Sequence, residues 1–112
     1  MKTRRTARAF IERAERDDDL AALVRGVISV AIHEPDFAYA QALCVRLAAH
    51  CNFNVRGNAL QAMGHLIRMH GRLDESAVRP ILDSALLDES EYVRSQAEEV
   101  RDESVRVLAW KW

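Results

Sequence analysis

From Asn54 to Ile67 the chain reads N-V-R-G-N-A-L-Q-A-M-G-H-L-I, and this stretch constrains the fold more than any other. Wound as a helix, it puts Val55, Ala59, Ala62, Met63 and Leu66 on one face, in the order i, i+4, i+7, i+8 and i+11. A strand, whose faces alternate with period two, would scatter them. Asn58, Gln61, His65 and Arg68 fall roughly opposite. The apolar residues grow from small to large along the stretch, and Gly64 sits where a neighbouring helix can approach closely. A helix with one apolar face must be covered by other elements.

The rest of the chain supplies them. The 112 residues suffice for one domain, and four Gly and two Pro among abundant Ala and Leu favour helix over sheet. Thr3 to Arg16 suits a helix with Ala7, Phe10, Ile11 and Ala14 as its stripe, followed by a turn at Asp17-Asp18-Asp19. Leu20 to Glu34 is a strongly apolar second helix, broken at Glu34-Pro35-Asp36 because a residue before proline avoids the helical region. Asp36 caps a third helix to about His50, and Asn54 is the expected cap of the fourth, which stops at Gly71. Asp74 caps a fifth, in which Pro80 predicts a kink or a late start. Ser90 reads as a cap, and the sixth helix runs from near Glu91 toward Trp110.

Charge is unevenly spread. Residues 1–16 carry +4, 17–50 carry −3, 51–73 carry +3 and 74–112 carry −5, for a net of −1. The C-terminal third is thus an acidic surface on a nearly neutral chain. No apolar run approaches the ~20 residues of a membrane helix, and Met1 to Arg8 is basic without the apolar stretch of a secretory signal. Cys44 and Cys51 read as small core residues, too far apart along a helix for a disulfide, in a reducing cytoplasmic setting.

Sliding the chain along itself until Val55-Arg56 falls on Val93-Arg94 also lays Ala59 on Ala97, Leu43 on Ile81 and His50 on Asp88. A helical-pair period of about 40 residues marks an α-solenoid. The residues resemble HEAT repeats, whose second helix reads V-R-x-x-A-x-x-A-L-G-x-L; Val55, Arg56, Ala59, Ala62, Met63, Gly64 and Leu66 fit it. Asp88 and Pro80 match the aspartate and proline typical of the repeat, whereas His50 replaces the first aspartate and Val100, Arg101, Asp102 and Ser104 depart from the motif's small, apolar tail. A weaker third copy lies at Val24-Arg25-Gly26. The resemblance implies an all-α, short right-handed solenoid of antiparallel helix pairs, about six helices in one domain. Residues 1–35 would form N-terminal helices, 36–71 a first clear repeat, and 74–112 a second repeat with a C-terminal cap.

Chemistry is sparse. The chain has no phosphate loop, nucleophile elbow or paired-cysteine metal motif, and His65 and His70 lie about 140° apart round a helix. No enzyme, cofactor or metal is expected. Arg56 and Arg94 are expected to join Asp88 and nearby turn carbonyls in a ladder between repeats. Trp110 and Trp112 divide between covering an open end and an exposed anchor.

In HEAT proteins the second helices line a concave surface, so the resemblance places Asn58, Gln61, His65 and Arg68 there with their equivalents Gln96, Glu99, Glu103 and Arg106. The function this implies is protein binding through that face and the acidic C-terminal third. One form of it is an immunity protein neutralising a basic toxin or nuclease domain. Two other readings stand beside it. One is nucleic-acid binding through Arg4, Arg5, Arg8, Arg13, Arg16, Arg56, Arg68 and Arg72, against which the ten acidic residues after position 73 would repel phosphate. The other is an adaptor for a cofactor-attaching lyase.

Overall fold

The computed structural model describes residues 2–112, with side chains from Ala7 onward. Six helices follow one another: α1 (Lys2–Asp17), α2 (Leu20–His33), α3 (Phe37–Leu47), α4 (Phe53–His70), α5 (Glu75–Ala85) and α6 (Glu91–Leu108). Among the described residues there is no strand, and no helix is long and apolar enough to cross a membrane.

Local chemistry sets the boundaries. Asp19 and Asp36 cap α2 and α3, each accepting a hydrogen bond from the backbone N–H three positions on, at 3.2 Å in both cases. α4 begins earlier than the sequence suggests. Its cap is Asn52, whose Oδ1 accepts from the N–H groups of Asn54 and Val55 at 2.9 and 3.2 Å, and Asn54 lies inside the helix. Gly71 ends α4 in the left-handed region with φ 67°. α5 starts at Glu75 and runs through Pro80 without the expected late start. Its cap residue, Asp74, makes no side-chain capping bond; its carboxylate is engaged by Gln41 from α3 and by Arg72. Gln41 Nε2 donates to Asp74 Oδ2 at 3.0 Å and its Oε1 accepts the Asp74 N–H at 2.8 Å. α6 stops at Leu108, short of the expected Trp110, where Ala109 turns left-handed with φ 62°.

The shift that carries Val55 to Val93 also carries every bound of one helix pair onto the next. It maps Phe37–Leu47 onto Glu75–Ala85 and Phe53–His70 onto Glu91–Leu108. It also maps the caps Asp36, Asn52 and Gly71 onto Asp74, Ser90 and Ala109. The first pair, α1 and α2, follows no such fixed offset.

α2, α4 and α6 pack side by side, and α1, α3 and α5 each pack on the helix that follows. The principal extents of 38 × 29 × 18 Å fit two helical layers at the usual spacing of about 8–10 Å. α4 is the centre, burying Val55, Ala59, Leu60, Ala62, Met63, Leu66 and Ile67 completely or nearly so. The close helix approach is at Gly57, where the Tyr92 ring of α6 occupies the space a Cβ would need, rather than at Gly64.

The layer of α1 and α3 is joined by polar reach. Tyr39 Oη donates to Glu12 at 3.1 Å, and Arg46 grips Glu15 through two bonds of 2.8 and 3.0 Å. Glu34, 2% exposed, accepts from Arg8 Nε at 2.8 Å and from the Asp36 N–H at 3.0 Å. The Pro35 break is therefore fastened to α1 through a buried carboxylate. Cys44 is buried and its thiol pushed up to about 12 by that burial; Cys51, expected in the core, is exposed on the turn between α3 and α4.

Candidate functional site

α4 and α6 begin with the same device. Arg56 Nη1 donates to the carbonyls of His50 and Cys51 at 3.0 and 2.9 Å, which fixes the guanidinium over its own turn. Its Nε and Nη2 then form a two-point pair with Asp88 at 2.9 and 3.0 Å. Both side chains are largely shielded, at 16% and 14% exposure. Hydrogen bonds from Arg56 hold the Asp88 carboxyl below its ordinary value against the opposing effect of burial. Arg94 Nη1 donates likewise to the carbonyls of Asp88 and Glu89 at 2.7 and 3.2 Å. The expected ladder of arginines, turn carbonyls and Asp88 is present. Its counterpart at the preceding turn is different: Asn52 N–H donates to His50 Nδ1 at 2.9 Å, and His50 Nε2 meets Asp18 Oδ1 at 2.9 Å.

The eight polar residues of the candidate stripe lie on α4 and α6, two helices that pack against each other. Arg68 Nη1 bridges to Glu103 Oε1 and Oε2 at 2.8 and 3.1 Å, directly above Gly64. His65 stands beside that pair, and its pKa is lowered by partial burial first and by Arg68 second, with Glu103 opposing. Asn58 turns back onto its own helix, donating to the Asn54 carbonyl at 2.8 Å. Gln61, Glu99 and Arg106 are exposed, and Gln96 is half-buried. The structure thus joins His65, Arg68 and Glu103 into one cluster; it brings no hydrogen bond or ion pair between that cluster and Asn58, Gln61, Gln96, Glu99 or Arg106.

The carboxylates of the acidic third divide sharply. Asp74, Glu75, Asp88, Asp102 and Glu103 are held in ion pairs by Arg72, Arg79, Arg56, Arg101 and Arg68. Asp83, Glu89, Glu91, Glu98 and Glu99 are exposed, and their carboxylates have no hydrogen-bond or ion-pair partner among the described residues. Three of these, Glu91, Glu98 and Glu99, lie on α6. Arginines that sequence reading offered to phosphate are mostly committed elsewhere. Arg8 pairs with Glu34 and Asp36, Arg13 weakly with Asp17, Arg56 with Asp88, Arg68 with Glu103 and Arg72 with Asp74. Arg4 and Arg5 lie outside the residues whose side chains are described.

Sequence reasoning missed a cleft of about 600 Å³ between the α3–α4 and α5–α6 turns, lined by His50, Cys51, Arg56, Ile81, Leu87 and Asp88. Leu87 at its rim is 87% exposed. Arg56 and Asp88 in it are engaged with each other, while the Glu89 carboxylate at its edge has no partner among the described residues. Trp110 is buried at 9% exposure, whereas Trp112 is 43% exposed, lies 3.7 Å from the Arg79 guanidinium and donates weakly to Ser104 Oγ at 3.4 Å. Both tryptophans lie beyond the end of α6, so the chain there folds back across α5 and α6. Among the described residues no three His, Cys, Asp or Glu side chains are grouped to hold a metal ion.

No family model, curated protein or solved structure matches this chain.

Proposed function

We propose that this is a non-enzymatic protein-binding module, built as a short right-handed solenoid of antiparallel HEAT-like helix pairs. Its binding surface is the concave polar face of α4 and α6, continued by the acidic flank of α6, and its partner is a basic protein. The solenoid reading is supported by the coincidence of helix bounds and caps under a single shift, and by the arginine anchor repeated at Arg56 and Arg94. The observation that carries the function is the set of exposed carboxylates without intramolecular partners, Glu91, Glu98 and Glu99 together on α6. Charges held in pairs within the chain contribute little to an encounter, while unpaired ones of one sign steer an oppositely charged partner. A basic toxin or nuclease domain has the required chemistry, and neutralising such a domain by binding is the form of the function we favour.

The same division of charge weighs against nucleic acid as the ligand. Of the described arginines proposed for phosphate, only Arg16 lacks a carboxylate partner, and the unpaired carboxylates of α6 would repel phosphate.

The test is capture from a lysate of the source cells on immobilised protein, comparing wild type with the variant Glu91→Gln, Glu98→Gln, Glu99→Gln. A basic protein retained by wild type, released by raised salt and lost from the variant is the expected result. Equal retention by both would overturn the assignment of this surface.

A further inference from the structure

The chain contains its own template for what a turn-anchored arginine binds. In Arg56 one nitrogen, Nη1, is fixed on two turn carbonyls, and the remaining edge, Nε with Nη2, holds the Asp88 carboxylate at two points. Arg94, its equivalent in the next repeat, is fixed by the same nitrogen on the carbonyls of Asp88 and Glu89. Its Nε and Nη2 edge carries no hydrogen bond or ion pair among the described residues, and the residue is partly exposed. The guanidinium is therefore already oriented, with the rotamer entropy of a free arginine largely removed before anything binds. A planar fork of two N–H donors matches a carboxylate.

We infer that Arg94 is a two-point receptor for a carboxylate, an aspartate or glutamate side chain that the bound protein presents. The inference deepens the proposed function, and rests on it in taking the carboxylate from a protein partner. Exposed Glu89 and Glu91 lie close before Arg94 in the chain, so a carboxylate carried on a cationic surface is held more tightly than the isolated acid, which still binds. The carboxylate therefore arrives on a surface whose cations neutralise those glutamates, which is what a basic partner with one acidic residue in register provides. Arg94 then sets the register of docking, while Glu91, Glu98 and Glu99 supply the long-range attraction.

Acetate serves as the probe. It is titrated against chloride at constant ionic strength into the ¹⁵N-labelled chain, and the arginine Nε–H resonances are followed by NMR. Arg94 is expected to move saturably, by at least roughly threefold more than the exposed Arg106, while Arg56 stays still because Asp88 already fills its edge. Equal shifts at Arg94 and Arg106 would overturn the proposal. Arg94→Lys keeps the charge and removes the fork, so the acetate response of the Asp88–Arg94 backbone amides is expected to vanish in it. A response that persists in this variant would show charge alone and also overturn the proposal. Should the lysine variant lose its helical circular dichroism, the wild-type contrast between Arg94 and Arg106 decides by itself. Because acetate needs no partner, a failure here removes the receptor and leaves the acidic-flank reading standing.

Discussion

Ala109 holds the backbone position that Gly71 holds one repeat earlier, both left-handed, with φ of 62° and 67°. Only glycine enters that region without steric cost, and nothing lies within 4 Å of a Cβ built on Gly71. Ala109→Gly is therefore expected to stabilise the fold by about 0.5–1 kcal/mol, and Gly71→Ala to destabilise it by about 1 kcal/mol, both read from urea unfolding midpoints. A loss of stability in the first variant with a gain in the second would remove the account of the helix ends. The stop at Gly71 is legible in sequence; the stop at Ala109 is not, since alanine signals a helix that continues. Buried partners separated by long stretches are equally illegible: Glu34 reads as a mere breaker because Arg8 lies 26 residues away, on the far side of α2 in the chain. The titrating residues give a pH signature. Asp88 is held below 3.8 by Arg56, so its contribution is complete at neutral pH and is lost as pH falls through that depressed value. Asp88→Asn should cost about 2 kcal/mol at pH 7 and little in strong acid. The folded-state pKa of His65 lies below 6.5, so the unfolded chain takes the proton first and stability declines as pH drops below 6.5. Stability of His65→Asn, measured by denaturation across that range, should show a shallower decline; an unchanged slope would count against the burial of His65.

At the level of elements, α4 is readable because its apolar spacing, its terminal glycine and its echo in α6 agree. Its first turn is harder. Asn52 and Asn54 are equally good caps in isolation, yet the repeat shift lays Asn52 on Ser90, so the signal that separates them is present in the repeat itself. Gln41 is illegible for a different reason, since its role as a clamp on Asp74 exists only when α3 meets the start of α5. The packing of α4 on α6 turns on Gly57, whose missing Cβ leaves room for the Tyr92 ring. Gly57→Ala gains helix propensity but must displace that ring, and a net loss of about 1–3 kcal/mol is expected from thermal or chemical unfolding. Pairing it with Tyr92→Ala should recover part of the loss, because the two sites are coupled. Full additivity of the two costs would show that the contact is not what limits the approach of the helices.

For the whole molecule, composition and period point to six helices in a single chain, and the structure has them. What sequence does not resolve is which charges remain available once the chain has folded. The last third reads as net acidic, yet folding engages Asp74, Glu75, Asp88, Asp102 and Glu103 and leaves Asp83, Glu89, Glu91, Glu98 and Glu99. Glu103, one of the eight candidate residues, thereby becomes a support for Arg68 rather than a free dock. That selection by folding is what makes α6 the centre of the proposed surface. Carboxyl footprinting, with a carbodiimide, glycine ethyl ester and mass spectrometry, reads it directly. In the free protein Glu91, Glu98 and Glu99 are expected to label quickly and Glu34 and Asp88 slowly. In the presence of the captured basic partner, the account requires protection of Glu91, Glu98 and Glu99. Unchanged labelling of these three, with protection confined to the carboxylates of α1 and the turn before α2, would contradict it.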